Sequence, residues 1–210
     1  MKVLVIQTYL KDNIIRNHQH TYKPLPKLEA MSRKQFKRYA NMIGADYEFF
    51  NEPAPWDKDM PGAHWQRWVM LDRPEYDCIV YADCDILINP RVFSMKHNIL
   101  DWPGIASRVS HPAAVNKIGW EGGVNCGVMK LTRDECSILK DKIHNYYHPQ
   151  INQPAFNNCY RDTFGMFKQY LDHRWNRTHQ RGYQPFFEHY VGYKKNKQWL
   201  NNCKLYGYWK

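Results

Sequence analysis

The six cysteines, Cys78, Cys84, Cys126, Cys136, Cys159 and Cys203, form no Cys-x-x-Cys pair, so the usual sequence mark of a zinc or dithiol site is missing. No apolar run approaches the roughly 20 residues that a helical membrane span needs. The first ten residues lack both the basic leader and the longer apolar stretch of a signal peptide. Reduced thiols in a cytoplasmic protein are therefore expected. Without secretion, Asn176-Arg177-Thr178 matches a glycosylation acceptor by letter only. There is no internal repeat, no long polar tract and no dividing linker, which excludes a repeat array and a disordered chain. The 210 residues read as a single domain, 1–210, able to bury its own core.

Acidic residues are the scarcer charge, 20 against 30 Lys and Arg, for a net charge of +10. Much of the excess sits late. From Lys168 onward there are nine Lys or Arg against Asp172 and Glu188. A merely solvated face is the default account of such a run. Its concentration points instead to an anionic partner: a diphosphate, a nucleic acid or an anionic membrane surface. Tyr and Trp, 15 and 8 in number, suit sugar faces and bases, although an ordinary core also uses them.

Local patterns outline an α/β chain. Lys2–Thr8 is a β-branched run, followed by a polar, proline-marked loop. Ser32 to Gln35 has capping-box spacing, which places a helix start at Ser32. Asp46–Phe50 reads as a second strand, and His64–Leu71 as a second helix. Asp77–Ala82 is a strand running into Asp83-Cys84-Asp85, and Val124–Leu131 is another. Thr132 to Glu135 is a second capping box, starting a helix that runs to about Tyr147. A further helix begins near Asn152. Strand–helix–strand openings of this kind belong to parallel nucleotide-binding sheets.

Three clusters carry candidate chemistry. Asp83 and Asp85 end an apolar strand, and burying two carboxylates together costs several kcal/mol without a counter-charge. A divalent cation, Mn²⁺ or Mg²⁺, answers that need with hard oxygen ligands and room for substrate phosphates. A turn cap after the strand is the competing account. His189 can complete a metal shell, Gly192 admits a ligand close to the backbone, and Lys195 can reach a phosphate. Gly122-Gly123-Val124-Asn125 offers backbone approach and an amide for sugar hydroxyls, or simply a turn.

Tyr81-Ala82-Asp83-Cys84-Asp85 resembles the Asp-x-Asp segment of GT-A glycosyltransferases. With His189, Gly192 and Lys195 as a His-x-x-Gly-x-x-Lys segment, the chain is similar to the glycogenin and lipopolysaccharide galactosyltransferase family. Asn125-Cys126-Gly127, Trp65-Gln66-Arg67 and Asn152-Gln153-Pro154-Ala155-Phe156-Asn157 resemble further segments of that family, in its order.

The resemblance implies a GT-A, Rossmann-like, mixed and mostly parallel sheet flanked by helices. It implies Asp83, Asp85 and His189 on Mn²⁺, Lys195 on the donor phosphates, and Arg67 on the donor or the aspartates. Asn125 and Gln153 would face the donor sugar, and Gln7, Thr8 and Tyr9 would cradle the base. The catalytic residues expected are Asp85 and Gln153, the latter an electrostatic helper. Residues 183–210 form a basic, aromatic tail expected to close the donor site.

The implied activity is transfer of a sugar from a nucleotide-diphosphate donor, UDP favoured, to a hydroxyl on a glycan or other acceptor, with retention of configuration. No nucleic-acid partner is expected, and a peripheral membrane contact is left open. Two departures stand out: Asn152 replaces an acidic residue, and Asn196-Lys197 replaces Pro-Trp. Rival readings are a nucleic-acid-binding module built on the basic C-terminal third, a nucleotidyltransferase, and an inactive sugar-binding relative.

Overall fold

The structure is a computed structural model that describes residues 1–9, 26–52, 54–55, 66–108, 123–147, 153–165, 169–177 and 184–190. Its frame is a five-stranded sheet in the order β2-β1-β3-β6-β5. The strands are β1 (Val3–Thr8), β2 (Asp46–Phe50), β3 (Cys78–Ala82), β5 (Ala106–Arg108) and β6 (Val124–Thr132). β1 lies parallel to β2 and β3, and β6 runs antiparallel to β3 and β5. Four strands thus share one direction and β6 alone is reversed, so the sheet is mixed and mostly parallel. A separate two-stranded sheet pairs β4 (Ile86–Ile88) with β7 (Phe187–His189).

Strand alternation divides the core between the two faces of the large sheet. On one face Leu4, Ile6, Ile79 and Tyr81 pack with Trp68 and Phe156. On the other, Val3, Val5, Val80 and Ala82 pack with Phe36, Tyr39, Trp175 and Phe187. Every residue of β1 and β3 is buried, because helices or the small sheet cover both faces. The second face is rich in edge-to-face rings. Phe187 meets Phe36, Tyr39 and Trp175 at centroid distances of 5.0, 5.2 and 5.0 Å. Each such pair is worth about 0.5–1.5 kcal/mol beyond area burial. These rings anchor β7 next to the main sheet.

Helix α1 (Pro26–Ile43) starts before the Ser32 expected from the capping-box spacing. Proline is well suited to a first helical position, where its missing N–H is not needed. The stripe Leu28, Ser32, Phe36, Tyr39 and Ala40 then faces inward at helical intervals. Ser32 is therefore an interior residue, and its hydroxyl accepts a hydrogen bond from Gln7 at 2.9 Å. The helix ends where Gly44, at φ 70°, takes the left-handed turn. The Ala45 and Gly44 amides then bond the Ala40 and Asn41 carbonyls.

The expected helix at 64–71 is a 3-10 segment over Gln66–Leu71, buried at every residue; residues 64 and 65 lie outside the described residues. Helix α2 (Pro90–Ser94) follows β4, capped by Asn89. Helix α3 (Arg133–Lys142) carries the expected reciprocal capping box between Thr132 and Glu135, and tightens to a 3-10 turn at Ile143–Tyr146. Helix α4 (Gln153–Phe164) is tied to the sheet by Asn157. Its buried amide accepts from the Val124 N–H at 2.7 Å and donates to the Val124 carbonyl at 3.1 Å. Among the described residues, no helix is long and apolar enough to cross a membrane.

Candidate metal and donor site

β3 ends at Ala82, and Asp83-Cys84-Asp85 links it directly to β4. The Asp83 N–H donates to the Gly127 carbonyl at 2.8 Å, which holds the start of this turn against β6. β4 pairs with β7 so that Ile86 faces His189, and the Tyr190 N–H donates to the Asp85 carbonyl at 2.9 Å. This register delivers the histidine to the aspartate pair across a long stretch of sequence. Asp83, Asp85 and His189 each offer a ligand atom, all within 4.8 Å of one another. His189 Nε2 lies 3.0 Å from Asp85 Oδ1 and 3.6 Å from Asp83 Oδ2.

Each aspartate is held differently. Asp83 Oδ1 accepts from the Tyr81 hydroxyl at 2.6 Å and faces the Arg67 guanidinium at 3.3 Å, which leaves Oδ2 directed to the histidine side. Arg67 is nearly buried and also donates to the Cys126 carbonyl at 2.8 Å. Burial disfavours its charge, yet Asp83 foremost, with Tyr81, Cys126 and Asp85, holds its pKa above the usual arginine value. Burial, reinforced by Asp83, drives the Tyr81 hydroxyl well above its ordinary pKa, so it stays a donor. Asp85 is more open, but its Oδ1 atom is buried and has no hydrogen bond among the described residues.

The histidine is fixed from behind. Its Nδ1 lies 2.9 Å from Asn176 Oδ1, and the Asn176 Nδ2 donates to Asn125 Oδ1 at 3.0 Å and to the Asn125 carbonyl at 3.2 Å. With the amide nitrogen occupied on that side, the amide oxygen is the atom that faces the ring. Nε2 faces the two carboxylates. Two carboxylate oxygens and an imidazole nitrogen converge here, with the buried Asp85 Oδ1 lacking a hydrogen bond among the described residues, a donor set that a divalent cation satisfies. One imidazole and two carboxylates suit Mn²⁺ or Mg²⁺. The residues present fit the ion.

Other expected residues divide into those placed near this cluster and those outside the described residues. Gln7 is fully buried and committed internally. Its amide nitrogen donates to Ser32 and, at 3.3 Å, to the Asp83 carbonyl, and its oxygen accepts from Tyr47 at 2.8 Å. It braces the aspartate turn. Thr8 Oγ1 is 3.3 Å from the Tyr81 hydroxyl, and Tyr9 donates its N–H to the Phe50 carbonyl. Arg67 meets the aspartate cluster, the second of its two expected roles. Asn125 Oδ1 accepts from the Gly127 N–H at 2.8 Å as well as from Asn176. Gln153 opens α4. Gly192 and Lys195, with residues 191–210 of the basic tail, lie outside the described residues, as do Trp65, Gly122 and Asn152.

Asn176 and Asn157 are the residues that sequence reasoning overlooked. Asn176 appeared only as a glycosylation letter match; it is 4% exposed, and its amide is engaged by His189 and Asn125. Asn157 sat inside a quoted segment without a role.

The chain superimposes on solved glycosyltransferases. A glycosyltransferase involved in the glycosylation of the major capsid of PBCV-1 matches with a TM-score of 0.61 at 13% identity, over 98% of this chain and 100% of that one. The galactosyltransferase LgtC, solved with donor and acceptor sugar analogs, matches with a TM-score of 0.57 at 13% identity, over 97% and 95%. This is the GT-A glycosyltransferase fold. A third example is mouse xyloside xylosyltransferase 1, with a TM-score of 0.50 at 12% identity, over 90% of this chain and 97% of that one. No family model matches the sequence, and no curated protein does. Within the GT-A fold the Asp83–Asp85 turn lies at the carboxyl end of β3, where open α/β sheets bind their ligands.

Proposed function

We propose that this protein is a metal-dependent glycosyltransferase, moving a sugar from a nucleotide-diphosphate donor, with UDP favoured, to an acceptor hydroxyl with retention of configuration. The observation that carries the reading is the convergence of Asp83, Asp85 and His189, with His189 Nδ1 held at Asn176 Oδ1 on the far side of the ring. The GT-A fold supports sugar transfer as the class of reaction.

Asp83, Asp85 and His189 hold Mn²⁺ or Mg²⁺ in this reading. A bound divalent cation offsets the negative charge that grows on the departing diphosphate, more in the transition state than before it. Arg67 and Tyr81 orient Asp83 through Oδ1, leaving Oδ2 toward the site. Gln7 steadies the Asp83 peptide from below. Lys195 contacts the donor phosphates, with Gly192 allowing close backbone approach, and the 183–210 segment closes over the donor. Thr8 and Tyr9, at the end of β1, border the base. Asn125 and Gln153 face the sugar, and Gln153 supports the cation-like anomeric carbon electrostatically while the acceptor hydroxyl attacks from the leaving-group side. A cytoplasmic location with its cysteines as thiols belongs to the same reading, and the basic tail also suits peripheral contact with an anionic membrane.

The test is a thermal-shift panel of nucleotide sugars with and without Mn²⁺, followed by donor hydrolysis. Ligand at about 100 times its Kd should stabilise the protein by about 2.7 kcal/mol. An unshifted melt with every donor, or turnover indifferent to a chelator, rejects the reading.

A further inference from the structure

His189 is the only nitrogen ligand in the candidate metal group, and an imidazole serves a cation only with an unprotonated nitrogen aimed at it. Its ring sits in a slot made by three residues outside the ligand set. Asn176 Oδ1 faces Nδ1 at 2.9 Å. Asn125 orients that amide by accepting from its nitrogen at two oxygens, 3.0 and 3.2 Å away. The Gly127 N–H in turn fixes Asn125 Oδ1 at 2.8 Å. The Gly127 N–H and the Asn176 side-chain NH₂ both donate to Asn125 oxygens, which leaves the Asn176 oxygen to accept from the histidine Nδ1–H. Reversing the amide would place an NH₂ group against Nδ1 and a carbonyl oxygen against two Asn125 oxygens.

We infer that Asn176 is a positioning residue that locks His189 in the Nδ1–H tautomer, so that Nε2 presents its lone pair to the space shared with Asp83 and Asp85. The inference rests on the metal reading given under the proposed function and adds to it a residue that does not itself touch the metal. Asn176 and Trp175 belong to one 3-10 segment, His173–Asn176, started by the Asp172 side chain accepting from the Arg174 N–H at 2.9 Å. Trp175 is fully buried, so the segment is pinned to the core and Asn176 has little freedom to follow a rotating ring. Asn176 is itself almost fully buried, which removes water as a competing partner for Nδ1. An outer partner of this kind typically changes metal affinity by about 10–100-fold.

Two measurements on the metal-free protein and its variants test the lock. Long-range ¹H–¹⁵N correlation on the neutral ring of wild-type protein, assigned by the signal lost in His189→Gln, should show Nδ1 protonated and Nε2 bare. An Nε2–H tautomer overturns the inference without any Asn176 variant. In the second measurement, Mn²⁺ alone is titrated and free ion is read by electron paramagnetic resonance. Asn176→Ala should weaken Mn²⁺ binding by about 10–100-fold, and Asn176→Asp should recover only part of it, because one carboxylate oxygen still accepts from Nδ1–H while the other faces the Asn125 oxygens that the Asn176 NH₂ bonded. Equal affinity in wild type and Asn176→Ala overturns the inference, and so does equal loss in Ala and Asp variants that both melt cooperatively. If Asn176→Ala does not fold, the wild-type tautomer and the Asp variant decide. Wild-type protein that binds no Mn²⁺ at all defeats the metal reading itself, a result distinct from a wrong tautomer.

Discussion

Gly127 has no side chain at the point where the His189 ring passes it. A Cβ there would lie 2.5 Å from Nδ1 and closer still to Cε1, against the face of the imidazole. The neighbouring backbone is not free to retreat, because the Gly127 carbonyl accepts from Asp83 and its N–H donates to Asn125. Gly127→Ala should therefore displace the ring at a cost of about 1–3 kcal/mol in stability. Mn²⁺ binding should fall with it, read by calorimetric melting and a metal titration on the same sample. Unchanged melting and unchanged affinity would show that the ring has slack.

The two aspartates should respond differently to substitution. Asp83 faces a nearly buried Arg67, so Asp83→Ala leaves a desolvated cation without its carboxylate and should destabilise by about 3 kcal/mol. Among the described residues Asp85 Oδ1 has no hydrogen-bonded partner, and it lies 3.0 Å from His189 Nε2. Asp85→Asn should leave metal-free stability within about 0.5 kcal/mol of wild type, as for substitutions away from such features, while metal-dependent transfer is lost. Urea denaturation with a chelator present separates the two cases.

Asp172 provides a pH test away from the metal site. Burial raises its pKa, but the hydrogen bonds from the Arg174 side chain and backbone, with the charges nearby, outweigh it and hold the carboxyl below its ordinary value. A depressed folded-state pKa means that this stabilisation is complete above about pH 4, the unfolded carboxylate value, and is lost as pH falls through the folded value. Asp172→Asn keeps an oxygen for the cap but loses the charged pair with Arg174, and should be less stable than wild type at neutral pH by up to about 1 kcal/mol. The gap should close on acidification below pH ~4. A gap that persists at low pH would contradict the account.

Buried thiols should be chemically silent. Burial pushes Cys126 up to about 12, and burial with Glu135 nearby does the same for Cys136. Since the thiolate is the reactive form, neither should be alkylated in native protein near pH 8, and both should be modified once urea unfolds it. Peptide mapping by mass spectrometry reads this directly.

The parts legible in the sequence were those encoded locally. The apolar run ending in Asp83-Cys84-Asp85 is a buried strand with its acids at the carboxyl end, because alternation and burial act on neighbouring residues. The Thr132–Glu135 box starts α3, since a cap needs only residues within one turn. Ser32 misled for a related reason: a serine followed by glutamine has the spacing of a cap, but its depth in the core is settled by what α1 packs against. Likewise the 3-10 form and complete burial of Gln66–Leu71 are not reported by local periodicity.

Sequence alone outlined β1, β2, β3, β6 and helices α1, α3 and α4, the acidic turn after β3 and the residue types able to hold a hard cation, because each depends on contacts within a few residues; the short elements β4, β5, β7 and α2 left no such mark. Tertiary structure decided the rest. The pairing of β4 with β7 carries His189 to Asp85, Arg67 reaches Asp83 from a buried turn, and Asn176 closes behind the imidazole. Those partners lie far apart along the chain, and what joins them is burial of Trp175, Phe187 and their neighbours in one core, a cooperative packing that no short stretch of residues encodes.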